Sequence, residues 1–112
     1  MKLPNLSRLL ELESPVRQPD NAGGYVESWA TLGCVWAEVT IRSGRERAEV
    51  DMPVSTVRWR VVVRASPVGA SSRPKAGQRF REGVRVMAIR AVAERDPFGR
   101  YLTCFAEEEV AI

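Results

Sequence analysis

Three consecutive carboxylates, Glu107-Glu108-Glu109, form the densest acidic group in the chain. Clustered carboxylates can hold a metal ion or move protons. Neither use finds its partners here. The 112 residues contain no histidine, which removes the commonest neutral-pH base and the commonest metal ligand. Cys34 and Cys104 make no CxxC pair, and a cysteine nucleophile would lack its imidazole base. Asp20-Asn21-Ala22-Gly23-Gly24 precedes a strand pattern, so it cannot supply the helix terminus that phosphate loops use. The chain is expected to be no enzyme and to take no metal or cofactor. Glu107, Glu108 and Glu109 are read instead as an acidic docking patch.

The basic residues carry the stronger signal. Fifteen of the seventeen are arginine, and Arg58 to Arg100 sums to +8, against −2 before it and −3 after it. A planar guanidinium pairs bidentately with carboxylates and stacks on rings, so this polarity suits contact between proteins. Arg58, Arg60 and Arg64 alternate with apolar residues and are candidates for such an interface. They could equally meet phosphates, as in a small nucleic-acid-binding barrel. Against that, Trp59 alternates with them and is expected on the opposite face. Trp36 shares a strand face with Glu38 and Arg42. It is read either as an interface ring or as part of the core edge.

These residues need strands to position them. Val57, Trp59, Val61, Val63 and Ala65 face one way, against Arg58, Arg60, Val62 and Arg64. Val35, Ala37, Val39 and Ile41 repeat the pattern, which slips near Leu32-Gly33, where a bulge is expected. Leu10 and Leu12 alternate with Glu11 and Glu13 in a short first strand, with a helix as the alternative. Gln78–Arg81, Val84–Ala93 and Arg100–Glu107 complete six strands. Ser14–Gly24, Arg42–Pro53 and Ser66–Gly77 read as loops, the middle one as a helical turn or a mobile segment. The fold class is therefore mainly β: one domain over 1–112, a small six-stranded β-barrel with long loops and little helix. The two cysteines are expected as buried free thiols, a disulfide being the alternative because their strands could be neighbours. No apolar run reaches the roughly 18 to 20 residues of a membrane span, and the first residues lack the features of a secretory signal.

The order of these pieces resembles a known family. A leucine-rich first strand leads to Asp20-Asn21-Ala22-Gly23-Gly24, Trp29 and Val35-Trp36-Ala37-Glu38-Val39. A charged middle segment, a second tryptophan strand and Gly77-Gln78-Arg79-Phe80 follow, then Tyr101-Leu102-Thr103-Cys104-Phe105-Ala106-Glu107-Glu108. This resembles the head–tail joining (head closure, or stopper) proteins of tailed bacteriophages and gene transfer agents, over nearly the whole chain. The resemblance implies a ring of six or twelve copies in the particle neck, made in the bacterial cytoplasm. The ring would sit between the portal and adaptor on one side and the tail terminator on the other. It also implies that the segment 42–55, with Arg42, Arg45, Glu46, Arg47, Glu49 and Asp51, faces the channel near packaged double-stranded DNA and helps retain it. A tail terminator of the same neck is the alternative within this class.

Overall fold

Alternation becomes architecture in the computed structural model, which describes the backbone of residues 2–48 and 53–111 and the side chains of 2–42 and 55–109. Six strands run β1 (Arg8–Pro19), β2 (Tyr25–Ala48), β3 (Pro53–Arg64), β4 (Arg79–Glu82), β5 (Arg85–Glu94) and β6 (Tyr101–Ala111). All pairs are antiparallel, and the sheet closes in the order β1-β2-β3-β6-β5-β4. The described residues contain no helix. Closure leaves the barrel itself without a free edge and gives each strand one inward face.

The inward faces make one core. Leu10, Leu12, Ala37, Val61, Val63, Phe80, Met87, Ile89, Leu102, Cys104 and Ala106 are buried together, with Val35, Val39 and Trp59 packed against them. Each of the larger side chains contributes roughly 1.5–3 kcal/mol by leaving water. Val62 faces outward and is nevertheless fully buried. It lies in register between Glu38 and Thr103, and Glu38 reaches to within 4.0 Å of Arg95 on the far side of that row. Long charged side chains thus roof an apolar outer position with their stems.

Two segments read as loops are strand. Ser14–Pro19 continues β1 and pairs with Tyr25–Ala30, beyond the point where β4 ends at Glu13. Pro15 and Pro19 therefore sit on an unpaired edge, the one place in a sheet that tolerates them. Asp20 closes this hairpin by accepting the Ala22 and Gly24 amides (2.8 and 3.0 Å), with Asn21 and Gly23 at positive φ. Likewise, Ser43–Ala48 is no helical turn: it continues β2 against Pro53–Arg58. The ladder continues there without apolar alternation, so the sequence pattern lost its signal while the backbone pairing persisted. Part of the expected 42–55 loop, residues 49–52, lies outside the described residues.

Bulges connect the barrel to these hairpins. Leu32 is the extra residue between Gly33 and Thr31, where the period slips in the sequence, and Gly33 takes φ +143°. Arg42 is the extra residue between Ile41 and Ser43. The result is elongated: the radius of gyration is 15.6 Å and the extents are 50 × 36 × 23 Å. A compact chain of this length would have a radius near about 13 Å. The excess is carried by the hairpins.

Candidate docking interface

One end of the barrel interior is closed by charge. Arg8, Glu82, Arg85, Glu108 and Trp59 all keep the inward phase of Leu10, Phe80, Met87, Ala106 and Val61, and they meet there. Arg8 chelates Glu82, one arm through Nε at 3.0 Å. Arg85 grips Glu108 with two bonds of 3.1 Å, reaches Glu82 at 3.5 Å, and lies 5.1 Å from the Trp59 ring. The Trp59 indole donates to Glu108 at 3.0 Å. The Arg85 bond is the main reason the Glu108 carboxyl titrates below its usual range, and Trp59 adds to it against the opposing effect of burial. Arg8 does the same for Glu82. Glu108, grouped from sequence with two docking carboxylates, is instead an internal clamp: it follows Ala106 by two residues and so points inward.

The short seam between β1 and β4 holds three paired positions and is stapled from outside. Glu13 accepts Arg79 Nε at 2.6 Å and Arg81 Nε at 3.1 Å, and the Arg79 guanidinium lies 4.0 Å from the Trp29 ring. Burial pushes the Glu13 carboxyl upward, but Arg79 and Arg81 outweigh it and hold it below the ordinary value. Glu13, Glu82 and Glu108 thus share one sign. Each folded pKa lies below the unfolded value of about 4.3. Their stabilisation is complete above that value and is lost as pH falls through the folded pKa values. Thermal melting should accordingly be flat from pH 6 to 8, where no histidine titrates, and fall steeply below about pH 4.5. A melting temperature unchanged between pH 6 and pH 3 would refute the role given to these three carboxylates.

The remaining outward positions form the surface that can meet a partner. Arg58 and Arg90 flank Glu107 at 3.6 and 3.4 Å, and Arg42 covers the Phe105 ring at 5.0 Å. Arg60 is exposed in the row between Thr40 and Phe105, and Arg64 stands 5.9 Å from the Tyr101 ring. Glu109 is exposed on the same face. Trp36 is 55% exposed beside Leu9, and it borders an open groove of about 580 Å³ with Leu6, Val35, Arg64 and Ser66. Of the segment expected at a channel, Arg45, Glu46 and Arg47 belong to β2 opposite Thr56, Ser55 and Val54; Glu49 and Asp51 lie outside the described residues. Sequence reasoning brought Arg58, Arg60 and Arg64 together but assigned Arg42 to the channel segment and did not single out Arg90 and Phe105 beside them. Arg90 is the extra residue of a bulge in β5, so its orientation does not follow from counting by two. The described residues offer no group of three potential metal ligands.

The described residues thus present arginines and aromatic rings on the outside of a closed, filled barrel. A family model for phage head completion proteins matches residues 1–109. The chain belongs to that family. It is also similar to a chain of known structure in the virion of a native gene transfer agent particle: 55% identity, coverage of 98% of this chain and 100% of that one, and a TM-score of 0.89. No curated protein matches it significantly. The family is one of structural virion components rather than enzymes.

The thiols of this head completion protein differ sharply. Cys34 is exposed and Cys104 buried, and both are free. The expectation that both would be buried fails at Cys34, which follows the bulge in β2. Nor are their strands neighbours, because β3 separates β2 from β6. Burial pushes the Cys104 thiol up to about 12. A thiol reagent at neutral pH should modify one cysteine in the native protein and the second only after unfolding. Rapid modification of both without denaturant would contradict this packing.

Proposed function

We propose that this chain is the head closure (stopper) subunit of a tailed-phage or gene transfer agent neck. In this reading six or twelve copies form a ring at the head–tail interface, joining the portal and adaptor side to the tail terminator side. The observation that carries it is the reciprocal coverage of 98% and 100% with a gene transfer agent virion chain at a TM-score of 0.89. The whole chain, and not a shared fragment, has a counterpart in a particle.

The geometry supports a structural role. With its interior filled by Phe80, Leu10 and Met87 and one end closed by the Glu108 clamp, the barrel offers its outer wall and hairpins for contacts. In a ring, the β2–β3 hairpin is the segment that reaches the channel, bringing Arg45 and Arg47 near packaged double-stranded DNA to help retain it. Trp36, Arg58, Arg60, Arg64, Glu107 and Glu109 supply contacts between subunits or with neighbouring neck proteins. A heterologous contact between copies gives a ring when its rotation closes.

The test is a native mass measurement of the purified chain alone and with the adjoining neck proteins, alongside binding to a short DNA duplex at moderate salt. Ring formation, alone or on the adaptor, with weak DNA affinity is the expected result. A persistent monomer with tight, salt-sensitive DNA binding would instead identify a stand-alone nucleic-acid-binding barrel.

A further inference from the structure

We propose that the outer wall of β2, β3, β6 and β5 is a docking surface for an acidic face of a different particle protein, not for a second copy of this chain and not for DNA. This deepens the head closure reading and rests on it. Arg42, Arg58, Arg60 and Arg90 stand around Glu107 and Phe105, with Glu109 further along the same face of β6.

The arrangement is prepared in advance. Glu107 holds Arg58 and Arg90 from either side, and the Phe105 ring supports Arg42. A guanidinium already fixed in one plane loses less freedom when it binds a carboxylate bidentately. Arg60, at the middle of the patch, has no carboxylate partner among the described residues and is exposed.

The chain's own described acids offer no clustered complement: Glu11, Glu27 and Glu94 are exposed but sit on three different strands, β1, β2 and β5. Others are already engaged. Glu13 is taken by Arg79 and Arg81, Glu82 by Arg8, Glu108 by Arg85, and Asp96 by Arg100 and two backbone amides. A second copy would bring arginines, internally bonded carboxylates and single exposed acids rather than an acidic face to this wall. DNA fits it less well than an acidic protein does. A duplex presents phosphates at close, fixed spacing and cannot avoid Glu107, whereas the carboxylates of a protein face can be spaced around it; half-buried rings beside arginines are also the composition of protein interfaces.

The experiment uses the full chain and its R42E/R60E variant, which leaves the Arg58 and Arg90 pairs with Glu107 and the core intact. Heads and tails are purified separately from a strain lacking this chain, and binding is read by co-sedimentation. The wild-type chain should bind heads, tails or both, and the variant should lose about tenfold or more in affinity for one of them. Circular dichroism should report the same β-sheet signal, and self-assembly should be unchanged. Equal binding by variant and wild type would overturn the docking surface alone. Lost self-assembly would assign the wall to a second copy, and a parallel loss of binding to a short DNA duplex would assign it to DNA; either overturns the proposal. A wild-type chain that binds neither heads nor tails would overturn the head closure reading itself.

Discussion

Phe80→Ala should destabilise the protein by about 3–5 kcal/mol, a large fraction of the roughly 5–15 kcal/mol that holds a domain folded. Phe80 is fully buried and is the one buried residue of four-residue β4. It faces Leu12 across one ladder and Met87 across the other, so it anchors the strand that closes the barrel on both sides. Removing the ring leaves a cavity where only the Glu82 ion pairs with Arg8 and Arg85 still hold β4 inward. In urea the midpoint should fall sharply, and amide exchange in β4 should become the fastest of the six strands. Phe80→Leu, which keeps most of the volume, should cost only about 1–1.5 kcal/mol. Near-equal midpoints for Phe80→Ala and the wild type would mean that the seam is held by the Glu13 staple rather than by this ring.

Glu108→Ala should cost about 1–3 kcal/mol, because it leaves the Trp59 indole without its acceptor and Arg85 with only its longer contact to Glu82. Glu108→Gln keeps an acceptor for Trp59 but not the charge that Arg85 requires, so it should fall between Glu108→Ala and the wild type. The double variant Arg85→Met with Glu108→Leu removes both charges and should recover much of the loss, since no uncompensated ion remains. Thermal melting of the four proteins at pH 7 separates these outcomes; for a domain of this size about 1 kcal/mol moves the midpoint by about 4 °C. If Glu108→Ala melts with the wild type, the carboxylate belongs to the surface after all. The same comparison at pH 3 should shrink the differences, because the stabilisation that the lowered Glu108 carboxyl supplies is lost progressively as pH falls below its unfolded value.

These two positions show where the sequence was legible. Val57 to Ala65 gave its strand away because one face is buried and the other is not, and that contrast sets the period. The same contrast vanishes where strands leave the barrel. Ser14–Pro19 and Ser43–Ala48 pair through their backbones, so prolines in one and charges in the other read as loop. The Glu107-Glu108-Glu109 run hid its division of labour, because three identical residues carry no pattern. Phase was the available signal: Glu108 continues Leu102, Cys104 and Ala106, while Arg85 precedes Met87 and Ile89 by the same step. An acid and a base extending two core faces mark a buried pair. Arg42 and Arg90 were beyond such counting, since each sits at a bulge that only the ladder reveals.

The head closure reading depends on what happens to particles that lack this chain. Electron microscopy of particles from a strain deleted for it should show tailless heads, many of them emptied of DNA, and expression of the chain in trans should restore tailed, filled particles. Complete tailed particles with undiminished DNA content in the deletion strain would contradict the account.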